Sequence, residues 1–219
     1  MWETLLNFIF PPHCPLCHAY VEERGLWCPH CLQETLKLQR LPLKVPMQKA
    51  IAEAWAFGVY RGGLQSIIKA LKYRGRRSTL PYIDTLLRAG LADKQLGHIL
   101  AAVDMAVAVP LYPAKEKQRG FNQAELIFKN FLQAADIPLT RQLVRLRTTV
   151  SMYQLSEQER RQNLKNAFAV TAAKAVTGKN ILLVDDILTT GATLHECAKV
   201  LKAAGAGTIY ALVLASDHR

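Results

Sequence analysis

The chain has 219 residues and is half hydrophobic by composition, which supplies one substantial core and excludes a disordered polymer. Lysine and arginine total 28 against 17 acidic residues, a formal charge of +11 that favours phosphate-rich partners such as nucleic acid, nucleotides or anionic headgroups. The opening MWETLLNFIFPP lacks a basic leading segment, and the longest apolar stretch, Ile99 to Ala114, is broken by Asp104, Pro110 and Pro113. A membrane helix needs roughly 18 uninterrupted apolar residues, so neither a signal peptide nor a membrane span is expected and the expected compartment is the cytoplasm.

The first forty-odd residues hold four of the five cysteines and end at LPLKVP, whose Pro42 and Pro46 read as a connector. A boundary near residue 45 therefore divides a small leading module (1–45) from a larger domain (46–219). From there the pattern predicts a strand over AIAEAWAFGVY, helices over GGLQSIIKALKY and LPYIDTLLRAGLA, a strand over DMAVAVP and a helix over NQAELIFKNFLQAA. A poorly periodic stretch runs from about Arg141 to Lys165. It is followed by a strand over NILLVDD, a helix from about Gly191 and a last strand over TIYALVLA. Continuously apolar strands separated by helices predict an α/β fold, a mostly parallel sheet flanked by helices on both faces. In the helix after Gly191, Leu194, Cys197, Ala198 and Leu201 fall at i, i+3, i+4 and i+7, which makes Cys197 a core residue.

Cys14, Cys17, Cys28 and Cys31 form two C-x2-C knuckles. Two such turns bring four thiolates into the tetrahedral arrangement that Zn2+ accepts, whereas a redox pair would need a thioredoxin-like strand and helix around one knuckle. His13, His18 and His30 stand beside these ligands, but four cysteines complete the site without them. A site closed by four thiolates has no open coordination position, so its zinc is structural.

The stretch ILLVDDILTTGAT places Asp185 and Asp186 at the carboxyl end of a buried strand, where open α/β sheets bind ligands. Thr189, Thr190, Gly191, Ala192 and Thr193 then offer hydroxyls and closely spaced backbone N–H groups at a helix start, which suits a phosphate. Acids for ribose hydroxyls joined to a phosphate nest fit a ribose 5-phosphate. A Walker loop and a G-x-G-x-x-G turn are both missing from the sequence. The plainer reading makes Asp186 a salt-bridge partner and TTGAT a helix cap.

Two basic stretches accompany this motif. RGFNQ offers Arg119 for phosphate and Phe121 for stacking, although Asn122 as N-cap with Phe121 as its hydrophobic staple is equally sound local physics. Tyr60 to Arg77 carries six basic residues and no acid, and Lys72, Tyr73, Arg74, Arg76 and Arg77 match a surface that tracks a nucleic-acid backbone or simply a solvated face.

Together, ILLVDDILTTGAT, VPLYPAKEKQRGFNQAE (109–125), QLSEQERRQNLKNAF (154–168) and the knuckles resemble the ComF family of competence-associated proteins, including its GntX branch, over nearly the whole chain. The resemblance implies a type I phosphoribosyltransferase-like domain behind a zinc-binding module. It implies that Asp185 and Asp186 hold the ribose hydroxyls of 5-phosphoribosyl 1-pyrophosphate (PRPP), directly or through Mg2+, and that Thr189 to Thr193 bind its 5′-phosphate. PLYPAK, with Lys115, falls where such enzymes carry a pyrophosphate loop, although Tyr112 and Lys115 stand where His and Arg are common in the family. The segment from about Arg147 to Asn163 falls where they carry a closing loop, which makes Gln154, Arg160 and Asn163 candidate ligands. Arg119 and Asn122 complete the expected substrate contacts.

In functional terms the resemblance implies DNA uptake in natural transformation, with incoming single-stranded DNA handled at the cytoplasmic face and peripheral association with the inner-membrane uptake machinery. The leading expectation is a protein that binds PRPP or a nucleotide together with single-stranded DNA. A Mg2+-dependent phosphoribosyltransferase with an unknown acceptor and a PRPP-sensing regulator stay open.

Overall fold

The computed structural model describes residue 7 and residues 10–148 and 157–217. The strands are β1 (Gln39–Arg40), β2 (Glu53–Val59), β3 (Met105–Ala108), β4 (Leu139–Thr140), β5 (Leu143–Arg145), β6 (Phe168–Val170), β7 (Ile181–Leu188) and β8 (Ile209–Ser216). Six of them form one sheet in the order β1–β2–β8–β7–β3–β4, parallel throughout except for β1, which lies antiparallel on the edge. Strands β5 and β6 make a separate antiparallel pair.

The apolar run at 181–184 reads as continuous because both faces of β7 are covered. Side chains alternate across a strand, so Leu182 and Val184 enter one hydrophobic core while Ile181 and Leu183 enter the other. Helices α1 (Pro29–Thr35) and α2 (Val45–Gln48) precede β2. Helices α3 (Gly62–Arg74), α4 (Leu80–Gly90) and α5 (Lys94–Ala102) follow it, and α6 (Pro113–Arg119) and α7 (Gln123–Ala134) lie after β3. Helices α3, α4, α5 and α7 supply the first core. Its centre is Phe57, Phe128 and Phe131, all fully buried, with Phe57 and Phe131 edge to face at 5.4 Å. Each such ring contributes about 2–3 kcal/mol by leaving water. The second core is closed by α9 (Ala173–Val176) and α10 (Ala192–Ala203), the latter through the expected stripe of Leu194, Cys197, Ala198 and Leu201.

The leading module packs on the first core through Cys14, Val21, Trp27 and Cys31. Trp27 Nε1 donates to Tyr82 O at 2.7 Å and Thr85 Oγ1 to Gly25 O at 2.9 Å, tying it to α4. Leu16 lies so close to α3 that a Cβ on Gly63 would sit 1.5 Å from its Cδ2.

Three sequence expectations need correction. Strand β7 runs on to Leu188, so Asp185 and Asp186 lie inside it rather than beyond its end, because β8 continues to pair with Asp185 and Ile187. Helix α5 had no counterpart in the periodicity reading, although Asp93 is a clear N-cap that accepts from Gln95 N and Leu96 N at 2.9 and 3.0 Å. PLYPAK is not loop throughout, since Pro113 opens α6, in which Lys115 and Arg119 then ride. The stretch from about 141 contains β5, and α8 (Glu157–Leu164) lies near its end.

Candidate functional site

Cys14, Cys17, Cys28 and Cys31 converge so that their ligand atoms all lie within 4.8 Å of one another, with Cys17 Sγ 3.6 Å from Cys28 Sγ. Thiolates about 2.3 Å from a tetrahedral zinc stand about 3.8 Å apart, so the quartet fits the ion. The first knuckle is held by Cys14 N donating to Ala19 O at 2.8 Å and His18 N to Cys14 O at 3.1 Å. The second opens α1, whose Cys31 N donates to Cys28 Sγ at 3.4 Å. Burial opposes ionisation of Cys14, but the backbone N–H groups of Cys17, Leu16 and Cys28 pull its thiol down to about 6, towards the thiolate that zinc requires.

The second cluster forms at the carboxyl end of β7. Asp185 and Thr189 to Thr193 line one cavity of about 40 Å3, with Ile187, Leu188 and Leu194 completing its wall. Gly191 initiates α10 with φ +74°, a left-handed backbone that a side chain resists. Asp186 is 3% exposed, and its Oδ2 is held by Lys72 Nζ at 2.9 Å from the last turn of α3. Burial works against the Lys72 charge, yet Asp186 outweighs it and holds the ammonium above its ordinary range. Asp185 Oδ1 accepts from Asp186 N at 2.8 Å. Burial, reinforced by the negative charge of Asp186, pushes the Asp185 carboxyl up to about 8.

Lys72 and Arg145 reach these acids, and Lys115 and Arg119 extend the same positive region. Burial and the charges of Arg119, Arg145 and Lys72 all depress Lys115, which puts the four cations in one electrostatic neighbourhood. Burial also depresses Arg145, which Asp185 supports from the opposite sign and whose guanidinium lies 5.4 Å over the Phe168 ring centroid. Arg119 donates through its guanidinium to Gln123 Oε1. Two acids, a nest of N–H groups and a basin of positive charge can take a ribose, its phosphate and a further polyphosphate. The carboxylate oxygens of Asp185 and Asp186 are the donors a hard cation such as Mg2+ prefers, and bound there it would neutralise polyphosphate charge.

Two residues stand elsewhere than expected. The sequence groups Lys72 with the nucleic-acid surface, but its ammonium turns inward to Asp186, since a buried carboxylate needs a partner. Asn122 is expected as a ligand contact, but its Oδ1 caps α7 at Ala124 N (2.9 Å) and its Nδ2 donates to Val109 O (3.0 Å), so both polar ends are spent internally. Tyr73 is 72% exposed, and Arg74, Arg76 and Arg77 are exposed beside it. Arg77 lies 5.0 Å over the Phe121 ring, so the two basic stretches meet. Gln154 lies outside the described residues, as does the side chain of Arg160; Asn163 is half-buried in α8. The sequence reading does not single out Arg145, although the apolar–basic alternation of Val144, Arg145, Leu146 and Arg147 is a signal for it.

Two family models match. The phosphoribosyl transferase domain covers residues 123–219, and the double zinc ribbon domain covers residues 5–41. A type I phosphoribosyltransferase-like domain led by a zinc ribbon is thus the class to which the fold belongs, and the ribbon match together with the four-cysteine cluster supports a structural zinc. Among curated relatives, the DNA utilization protein YhgH of Escherichia coli O157:H7 is 31% identical over 205 residues, covering 90% of this chain and 80% of that protein. Competence protein F of Haemophilus influenzae is 29% identical over 196 residues, covering 89% and 80%. Competence protein ComFC of Bacillus subtilis is 36% identical over 95 residues, 43% of this chain and 37% of that protein. The chain belongs to the ComF family. Among the described residues no helix is long and apolar enough to cross a membrane.

Proposed function

We propose that this protein binds PRPP, or a nucleotide of like shape, with Mg2+ in the β7 site, binds single-stranded DNA on the neighbouring basic surface, and supports DNA uptake in natural transformation. The observation that carries the first part is the convergence of Asp185, Asp186 and the Thr189–Thr193 loop with Lys72, Lys115, Arg119 and Arg145. Pyrophosphate needs such a basin and ribose hydroxyls need such acids. The second part rests on Tyr73, Arg74, Arg76 and Arg77, exposed just after Lys72, and on relatives named for competence and DNA utilization. A peripheral position beside the uptake machinery is compatible with the positive charge and is part of the same proposal.

Calorimetry with PRPP and Mg2+ tests the site. Native protein binds, and Asp186→Asn weakens binding on the order of a hundredfold; equal affinity in both proteins would sink the assignment. Single-strand affinity falls with salt, and converting Arg74, Arg76 and Arg77 to Ala reduces the log–log salt slope by about 2, at roughly 0.7 per lost phosphate contact. Pyrophosphate release that depends on an added base, lost in Asp186→Asn, would instead make the chain a phosphoribosyltransferase, a reading favoured by the intact acid pair.

A further inference from the structure

The phosphate loop has two sides. One faces the cavity it shares with Asp185. The other faces a separate cavity of about 100 Å3 lined by Lys44, Pro46 and Met47, and Thr190, Gly191 and Ala192 are walls of both. Thr190, Gly191 and Ala192 thus border both cavities, and the side chain packed against them from the second one bears on where their N–H groups point.

Met47 stands behind it. Its Sδ and Cε approach Gly191 so closely that a Cβ there would lie 2.4 and 2.7 Å from them. Met47 is only 6% exposed, and its carbonyl accepts from Ala50 N and Ile51 N at 2.9 and 2.8 Å. Five residues after Met47, Ala52 N donates to Ile209 O at 2.8 Å, so this backing is anchored to the central sheet. Pro46 lies at the start of the same short turn. Lys44, from the same connector, and His195 and Glu196, from α10, complete the lining of the second cavity. Among the described residues, only Met47 has atoms within 4 Å of where a Cβ on Gly191 would lie.

We propose that Met47, carried by the connector that follows the zinc ribbon, is a positioning residue of the 5′-phosphate loop: it braces Gly191 from behind and holds the Thr189–Thr193 N–H groups in a phosphate-accepting arrangement. The inference rests on the reading of that loop as the 5′-phosphate site. A loop misplaced by about 1 Å forfeits much of its binding, up to a hundredfold in positioned sites. The unbranched thioether suits a brace against a bare glycine, because it fills the irregular space a Cβ would claim.

The test compares two probes on the full-length zinc-loaded protein, ribose 5-phosphate, which engages the loop, and Mg2+–pyrophosphate, which engages the acids and cations. Met47→Ala weakens ribose 5-phosphate on the order of tenfold and leaves pyrophosphate within about twofold, while Met47→Leu restores ribose 5-phosphate to near the native value. Met47→Val, which keeps a branched stub in the core, carries the comparison if the alanine variant does not fold. Equal weakening of both probes marks general loosening and overturns the inference, as does no change in either or a leucine variant as weak as alanine. Native protein that binds pyrophosphate but not ribose 5-phosphate overturns the loop assignment itself, a result distinct from failure of the brace.

Discussion

The zinc ribbon and the β7 site are built in opposite ways. The ribbon takes all four ligands from residues 14–31 and sets them with turns that close within a few residues. The β7 site draws Asp186 from the seventh strand, Lys72 from a helix in the first half of the chain, Lys115 from α6 and Arg145 from β5. A local motif carries its geometry with it, because short loops close at small entropic cost. A dispersed site depends on every element between its members, so its charges record the fold as much as the ligand.

The largest expected effect breaks the first half of that contrast. Removing zinc, by chelator or by Cys28→Ser with Cys31→Ser, withdraws metal-coupled folding energy, and Trp27 and Cys31 lie in the first core. Thermal unfolding then drops by several kcal/mol, about 5, and the Trp27 environment changes. A ribbon that melts alone while the rest stays folded would sharpen the contrast; an unchanged melting curve would break it.

Next in size is Asp186→Asn, which leaves Lys72 without its buried counter-ion. Deleting one partner of a buried pair costs about 3–5 kcal/mol; since Lys72 is one-quarter exposed along its side chain, about 2 is expected here. Lys72→Met with Asp186→Asn recovers much of the loss in a double-mutant cycle, and additive losses would show that the two side chains do not interact.

A smaller effect is pH-linked. The Asp185 carboxyl titrates at about 8 in the folded state against an ordinary value of 3.8, so the native protein holds the extra proton between those values. Stability contributed by this group is therefore greatest below about pH 4 and declines as pH rises through 8. Asp185→Asn removes that decline, so its melting temperature gains on the native protein from pH 4 to pH 8. Parallel pH profiles would place the carboxyl in its ordinary range. The same proton leaves when a divalent cation binds the Asp185 carboxylate, so binding of PRPP with Mg2+ at pH 7 releases up to about one proton, read from calorimetry in buffers of different ionisation enthalpy.

The smallest effect is Arg77→Ala, which removes the cation–π contact with Phe121 and costs about 0.5–1 kcal/mol. A cost near zero would mean that the two basic stretches are neighbours without being coupled.

Legibility followed the same divide. The apolar run at 181–184, the stripe of α10 and the cysteine spacing all express a period or a spacing within one element, and each appears in the structure where the pattern put it. Helix α5 escapes because Gly97, His98 and the closing pair Ala101 and Ala102 blur its periodicity, leaving the Asp93 cap as the clear signal. The strand over NILLVDD continues to Leu188, because the pairing of β8 with Asp185 and Ile187 overrides the weak strand preference of the acids.

By itself the sequence determined the chemistry on offer: four thiolates at ribbon spacing, two acids ahead of a phosphate nest, and an excess of cations. Only the tertiary structure decided how those groups are spent. It turned Lys72 inward to Asp186, covered Phe121 with Arg77, used both ends of Asn122 to join α7 to Val109, and set Met47 behind Gly191. Each of these contacts joins residues brought together by the folding of the sheet and its helices, and a pattern read along one element carries no information about which distant side chain burial will oblige it to meet.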